Sequence, residues 1–177
     1  MPPKQKVDRA TKDTRRVLDS IRRIVRVLRL ASRDAEKRVG LSAAQLFVLQ
    51  KLAEGGVLSV NDLAERTHTH QSSVSVVVRR LVERGFADRI RSKADARQAE
   101  VSVTTAGKAV LKSAPTAAQD HIIHALEHMN SGEVRDLAGA LEKLVQHLGI
   151  DGTAIVPMLF EDESPKGVGR RNTRART

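Results

Sequence analysis

Small hydroxyl, amide and basic side chains follow one another in the helical pattern between His70 and Arg84. Gln can bond adenine through two contacts, Ser can bond a base or a phosphate, and Arg can bond guanine or phosphate. An apolar residue in the same row can touch the methyl group of thymine. These residue types predict a helix face that contacts double-stranded DNA. The residues assigned to this face are Gln71, Ser72, Ser73, Ser75, Val76, Arg79 and Arg80.

A basic loop follows this helix and joins two short alternating strands, which are predicted over 86–90 and 99–103. Arg91, Lys93 and Arg97 are predicted to contact DNA from this loop, because arginine suits the negative potential of a narrow minor groove. Asp95 is anionic, so its predicted role is to support the loop by holding an arginine or by capping the turn. Helix, polar turn, second helix and two strands in this order predict a helix-turn-helix with a wing.

The helices that position these residues are predicted from the spacing of apolar residues, and their ends are predicted from the positions of glycine and proline. A long amphipathic helix with arginines between its apolar positions is predicted from Thr14 to about Lys37, and Gly40 ends it. Ser42 is predicted to cap the next helix. After the wing, Thr104 or Thr105 caps a helix, Pro115 interrupts it, and Ser131 caps the last one. The buried stripe of the DNA-facing helix is Val74, Val77, Val78, Leu81 and Val82.

The run QSSVSVVVRRLVERGFADRIRSKADARQAEVSVTTAG resembles the MarR family of bacterial transcription regulators. The similar pieces are Ser73-Val74-Ser75, the run from Leu81 to Gly85, and Asp95-x-Arg97 before a Val-x-Val-Thr-x-x-Gly run. Two positions depart from the family pattern, Val76 where arginine is frequent and Arg79 where an acidic residue is frequent. The resemblance extends over about residues 14–148.

The resemblance implies a mainly α fold, a winged helix-turn-helix whose N- and C-terminal helices form a dimerisation bundle. It implies a homodimeric regulator, here expected to be a repressor that binds a near-palindromic operator and is released by a small-molecule effector. The effector pocket is expected between the first helix, the helix around Phe47 and the helix after the wing. The expected organisation is a flexible arm (1–13), a regulator domain (14–148) with its DNA-binding lobe at 42–104 and dimerisation helices at 14–38 and 105–148, an extension (149–163) and a basic disordered tail (164–177).

Composition limits the other possibilities. The chain has 177 residues, a formal net charge of +10 and no cysteine, so a polyanionic partner is favoured and thiol chemistry is excluded. No apolar run reaches the roughly 20 residues of a membrane span, and no signal peptide is visible, so a cytoplasmic protein without a membrane partner is expected. Phosphate-binding loops, nucleophile elbows and metalloprotease motifs are missing. The sequence predicts no enzyme activity and no cofactor.

Three alternatives stay open at this point. A non-specific basic DNA-binding protein could use the arginine-rich first helix and the tail. A metal-responsive regulator could use His121, His124 and His128, whose helical spacing can supply ligands. The winged helix could instead bind protein. His68 and His70 are either phosphate contacts or ordinary exposed residues of the turn.

Overall fold

A computed structural model describes residues 4–91, 99–150 and 158, and it describes side chains over 11–90, 100–150 and at Met158. Seven helices and three strands lie within the described residues. They are α1 (Lys4–Val39), α2 (Ala43–Gly55), β1 (Val57–Ser59), α3 (Val60–Arg66), α4 (Gln71–Glu83), β2 (Ala87–Arg91), β3 (Ala99–Val103), α5 (Thr105–Leu111), α6 (Ala118–Glu127) and α7 (Ser131–His147).

Helix α1 differs from its prediction at the N-terminal end. It begins at Lys4, so residues 4–13 are helical and the predicted flexible arm of residues 1–13 is corrected over that range. No glycine or proline lies between Lys4 and Gly40, and the Lys, Gln, Arg and Ala residues of this segment have high helix propensity. The predicted C-terminal end is confirmed, because Val39 is the last helical residue and Gly40 has a φ of 66°.

The core surrounds α2, which packs on α1, α4, α5, α6 and β3. Ser42 caps α2 as predicted, and its hydroxyl accepts from the amide of Gln45 while the Gln45 side chain accepts from the amide of Ser42. This capping box satisfies two backbone donors that the first turn leaves without helical partners. The largest fully buried side chains are aliphatic apart from one phenylalanine. They are Phe47, Leu41, Leu46, Leu49, Leu52, Leu63, Leu81, Val48, Val74, Val77, Val78 and Val101.

A three-stranded antiparallel sheet of order β1-β3-β2 lies beside the helices. In its register Leu58 pairs with Val101, and Ala87 pairs with Val103. Leu58, Ala87 and Val101 are buried, so alternate residues anchor the sheet to the core. The two predicted wing strands are confirmed, with β2 beginning one residue later than expected.

The base of the wing is fastened to the start of α5 through Thr104. Its hydroxyl donates to the carbonyl of Gly85 at 2.8 Å and accepts from the amide of Gly107 at 3.0 Å. Its amide donates to the carbonyl of Phe86 at 3.1 Å. Gly107 is buried against this turn, and a Cβ placed on it would overlap the carbonyl oxygen of Phe86. Packing therefore explains the glycine at the end of the Val-x-Val-Thr-x-x-Gly run, since only glycine allows α5 to lie this close to the turn.

We expect Gly107→Ala to destabilise the fold by roughly 1–3 kcal/mol, because backbone atoms cannot move aside as a flexible side chain can. Thermal unfolding followed by circular dichroism would show a lower Tm. Gly139→Ala is the matched control, since Gly139 is also helical and a Cβ there meets nothing within 4 Å. That control should be neutral or slightly stabilising. Equal Tm values for the two variants would contradict this account of Gly107.

Pro115 interrupts the helical segment after the wing, as predicted, and α5 and α6 are separated by residues 112–117. One cap differs from its prediction. Asn130, not Ser131, caps α7, and its side chain accepts from the amides of Gly132 and Glu133. Glu133 completes a capping box by accepting from the amide of Asn130 at 2.9 Å. Asparagine is as favourable an N-cap residue as serine. Asn130 is the cap here because the carboxylate of Glu133, three residues later, completes a capping box with it.

Candidate nucleic-acid interface

Most of the residues predicted for the DNA-facing side of α4 lie on one outward face of that helix. Gln71 and Arg79 are exposed, while Ser72, Ser75 and Val76 are half-buried. The predicted valine stripe faces the opposite way, and Val74, Val77, Val78 and Leu81 are fully buried, with Val82 half-buried at its edge. Arg80 lies at the edge of the outward face, half-buried and engaged by other residues of the chain.

Ser73 is the exception and corrects the sequence prediction. Its residue is only 2% exposed, because position 73 lies on the same side of the helix as Val77, one turn further on. The side that carries Val77 packs on the body, so the Ser73 side chain points inward and has a partner within the protein. Ser73 is therefore part of the packing of α4 and does not contact a ligand on its outer face.

The turn between α3 and α4 is held by threonines. The Thr67 hydroxyl donates to the carbonyl of Leu63 at 2.7 Å, and the Thr69 hydroxyl donates to the carbonyl of Thr67 at 2.9 Å. His68 adopts a φ of 50°, a left-handed conformation that is uncommon for residues other than glycine. These bonds set the angle at which α4 leaves α3, and they leave His68 and His70 exposed on the outer surface.

The N-terminus of α4 differs from those of α2, α3 and α7, each of which has a capping box. His70 occupies the N-cap position, and among the described residues its side chain makes no capping hydrogen bond. The amide of Ser73 donates to the carbonyl of His70 at 3.0 Å, which leaves the amides of Gln71 and Ser72 without a cap from His70. A helix N-terminus with available amides and a positive dipole end favours phosphate.

Arg79 has a weak partner on its own helix. Its Nε lies 3.9 Å from Oε1 of Glu83, and both side chains are 65% exposed. An exposed pair at this distance contributes little, so the guanidinium can turn toward an external anion. The outward face of α4 therefore combines a cation, two hydroxyls, an amide and one small apolar group.

Arg84 is a positioning residue that the sequence analysis did not identify. Its guanidinium donates to Oε1 of Gln45 and to the carbonyl of Gly40, each at 2.8 Å, and it lies over the Phe86 ring at 5.1 Å from the centroid. Arg84 thus ties the C-terminal end of α4 to the junction of α1 and α2. Its partners are 39 and 44 residues away in sequence, so no local pattern indicates them.

Two basic residues of β2, Arg89 and Arg91, precede the wing loop. Arg91 ends β2, while its side chain, together with Lys93, Asp95 and Arg97, lies outside the described residues. Their predicted roles stay predictions. Arg89 in the middle of β2 is exposed. The sequence analysis assigned it no role, although its basic side chain close to the wing loop indicates a possible DNA contact.

A cleft of about 380 Å³ opens between α2 and the segment joining α5 to α6. Lys51 stands at its edge, with its ammonium 3.0 Å from Asp120 and 3.3 Å from Glu54. Burial alone would lower the pKa of Lys51, but the two carboxylates outweigh it and raise the pKa above its usual value. The residues lining the cleft are Gln50, Ala53, Glu54, Leu111, Ala114, Pro115, Thr116 and Asp120.

This cleft matches only part of the predicted effector pocket. The helix after the wing and α2 both contribute to it, as expected, whereas no residue of α1 is among its lining residues. Phe47 does not line it either, because that side chain is fully buried in the core. The Lys51 ammonium lies 5.7 Å from the Phe47 ring centroid.

His124 of α6 and His128, at the C-cap of that helix, have local partners. Nδ1 of His124 lies 3.0 Å from Glu127, and Nδ1 of His128 donates to the carbonyl of His124. Within the described residues, no three His, Cys, Asp or Glu side chains are grouped as metal ligands.

None of the described helices is both long and apolar enough to cross a membrane.

Comparisons with known proteins agree with this architecture. A sequence model of the MarR family matches residues 39–98. An HTH-type transcriptional regulator of Mycobacterium leprae is 32% identical over 127 residues, which cover 72% of this chain and 86% of that protein. The HTH-type transcriptional repressor MdtR of Bacillus subtilis is 26% identical over 113 residues, covering 64% of this chain and 73% of that protein.

Solved structures show the same fold. A mutant MarR of Escherichia coli complexed with operator DNA superposes with a TM-score of 0.50 at 22% identity, over 73% of this chain and 96% of that one. The mainly helical winged helix-turn-helix architecture predicted from the sequence is thereby confirmed. By its homology to the regulator of Mycobacterium leprae and by its match over 39–98, this chain belongs to the MarR family of DNA-binding transcription regulators and is not an enzyme.

Proposed function

We propose that this regulator is a homodimeric repressor that binds a near-palindromic operator and is released by a small-molecule effector. The observation that carries the proposal is a pair of exposed apolar stripes on α1 and α7. No residue of α7 is buried within the chain, although its leucines recur at helical spacing. An amphipathic helix needs a partner for its apolar side, and exposed apolar patches of this kind mark interfaces.

The two stripes extend along the first and last helices. Val17 is 51% exposed and Leu141 is 49% exposed, far above what core residues of these types show. A second copy of the chain offers matching apolar stripes of the same length, as a two-fold interface requires. The members of the stripes are Val17, Leu18, Ile21, Ile24, Val27 and Leu30 on α1, and Leu137, Leu141, Leu144 and Val145 on α7 with Leu148 at its C-cap.

A two-fold dimer would present two copies of α4 to one duplex. Two such helices enter successive major grooves about 34 Å apart, so the operator would contain two inverted half-sites. We assign the base and phosphate contacts to Gln71, Ser72, Ser75, Val76, Arg79 and Arg80 of α4, and the wing contacts to Arg91, Lys93 and Arg97 supported by Asp95. We further propose that the protein acts in the cytoplasm, where that DNA would lie.

Selection of bound duplexes from a random pool tests this function. An inverted repeat with half-site centres about 10 base pairs apart is expected, and random duplex should compete far less well than the selected one. Equal competition by random duplex would contradict specific binding and favour the non-specific basic alternative. The selected duplex is then the ligand for measurements of operator affinity.

Repression and effector release rest on two further observations. MdtR of Bacillus subtilis, a relative of this chain, is a repressor by name, and the cleft between α2 and α6 offers a cavity with an amide and two carboxylates. A ligand bound there would contact α2, which packs on α4, and could change the position of α4. In transcription assays with the selected operator in a promoter, the protein should lower transcript yield. Increased transcription would contradict repression.

Arg97→Ala is expected to weaken binding on most duplex sequences and to lower the slope of log affinity against log salt by about one unit per wing, or about 1.8 units for a dimer that uses both wings, because each wing loses one phosphate contact. Fluorescence anisotropy over a salt series measures both quantities. Arg135→Ala removes the same charge from an exposed position on α7 and should leave the slope unchanged. Unaltered affinity in the Arg97 variant would show that the wing assignment is wrong.

A further inference from the structure

A row of five arginines extends along one side of α1 and is not used by the interface described above. We call it the arginine stripe: Arg15, Arg22, Arg26, Arg29 and Arg33. At about 100° per residue these positions fall within a sector of roughly 60°. At 1.5 Å per residue the row extends over about 27 Å. All five residues are exposed.

The arginine stripe is largely without internal partners. Arg22 pairs with Asp19 at 2.8 Å. Among the described residues, Arg15, Arg26, Arg29 and Arg33 form no ion pair. By contrast, two arginines on another side of the same helix have carboxylate partners, Arg16 with Asp13 at 3.2 Å and Arg38 with Asp34 at 2.9 Å. Arg23 also forms no ion pair among the described residues, so the row holds four of the five unpaired arginines between residues 11 and 39.

The position of the stripe keeps it accessible in a dimer. The apolar stripe of α1 is centred near Val17, Ile21 and Ile24, on the opposite side of the helix by the same helical arithmetic. A second copy that packs on those three side chains leaves the arginine sector exposed, while Leu18 and Leu30, at the edges of the apolar stripe, adjoin that sector. Like charges held this close on one helix repel each other, and a polyanion that lies along the row would relieve that repulsion.

Along their helices, the stripe and the DNA-reading residues of α4 both lie away from the joint that Arg84 makes between α1 and α4. Arg84 ties Gly40, at the C-terminal end of α1, to the C-terminal end of α4. The reading residues begin at Gln71, the opposite end of a 13-residue helix, about 20 Å away. The arginines extend from Arg33 toward the N-terminus of α1, up to about 37 Å from Gly40.

We propose that the arginine stripe binds the phosphate backbone of a second DNA duplex, so that one dimer can bridge its operator to another DNA segment. This inference rests on the proposed function, because the second duplex is defined relative to the operator. Duplex DNA fits the row because it presents one phosphate charge per 1.7 Å of its axis. Guanidinium groups bind phosphate with two parallel hydrogen bonds. Binding of this kind needs no particular sequence.

Energy transfer between two labelled duplexes tests the bridge. The dimer is saturated with donor-labelled operator, and acceptor-labelled random duplex is then titrated. We expect energy transfer that weakens with salt. The variant Arg26→Gln/Arg29→Gln/Arg33→Gln should weaken random-duplex capture at least 10-fold and lower the salt slope by about 2.7 units. Operator affinity should change less than twofold.

Two control variants and a measurement of folding accompany this experiment. Arg16→Gln/Arg23→Gln/Arg38→Gln removes the same charge from other sides of α1 and should capture random duplex like the unmodified protein. Arg26→Lys/Arg29→Lys/Arg33→Lys keeps the charge and should retain most capture. Gln and Lys are good helix formers, and the Tm of each variant checks folding.

Several results would overturn the proposal. Equal loss in the two glutamine variants would show that capture follows net charge alone. A comparable loss of operator affinity in the stripe variant would place the arginines on the operator itself. If the stripe captured single-stranded RNA in preference to duplex DNA, its ligand would be RNA and the proposal would be wrong. Failure of the unmodified protein to bind operator would reject the proposed function, and random-duplex capture by the stripe could still be measured without operator.

Discussion

Ser75→Glu is expected to lower operator affinity at least 100-fold, equivalent to about 2.7 kcal/mol. Ser75 lies in the middle of the outward face of α4 and is half-buried. A glutamate there would place a negative charge against phosphates, and it would remove a hydroxyl that can bond a base edge, a hydrogen bond worth about 0.5–1.5 kcal/mol. Anisotropy with the selected operator at fixed salt measures the change.

The fold should tolerate this substitution. Glutamate has at least the helix propensity of serine, and its carboxylate can reach solvent from the outward face. The free energy of unfolding should change by no more than about 0.5 kcal/mol. Ser113→Glu is the matched control, because Ser113 is exposed in the turn after α5 and receives the same charge. If Ser75→Glu bound operator as well as Ser113→Glu does, α4 would not be the DNA-reading helix.

Leu141→Lys is expected to dissociate the dimer. Burial of a leucine contributes about 1.5–3 kcal/mol, and a two-fold interface loses one leucine from each copy. The loss of about 3–6 kcal/mol should raise the dimer dissociation constant at least 100-fold. Light scattering coupled to size-exclusion chromatography would show a monomer at concentrations where the unmodified protein is a dimer. Operator affinity should fall with it, because a single lobe binds one half-site.

Gln146→Lys controls for the added charge. Gln146 is exposed on α7 and lies on the side opposite the leucines by helical spacing. Its lysine variant should remain dimeric and bind operator normally. A dimeric Leu141→Lys protein with unchanged mass and affinity would refute the assignment of the apolar stripes to the subunit interface.

Local signals predicted much of this molecule. The valine spacing of α4, the capping serine of α2, the interruption at Pro115 and the glycine that ends α1 were read correctly, because each depends on residues within a few positions of one another. Local signals left the exact first residue of a helix open where two neighbouring residues can both cap it. At α7, Asn130 and Ser131 are both competent caps, and only the carboxylate of Glu133 decided between them.

The sequence by itself determined the order of the elements, the side of α4 that carries valines, and a basic composition suited to DNA. Ser73 faces inward because helical spacing places it beside Val77, on the side already predicted to be buried, so this correction could have been made from the sequence. What only the tertiary structure decided is the set of contacts between residues far apart in the chain. The tertiary structure alone revealed the link from Arg84 to Gln45 and Gly40, and the close approach of Phe86 that requires Gly107. These contacts join residues distant in the chain, and the packing of α2, α4 and α5 around one core brings them together.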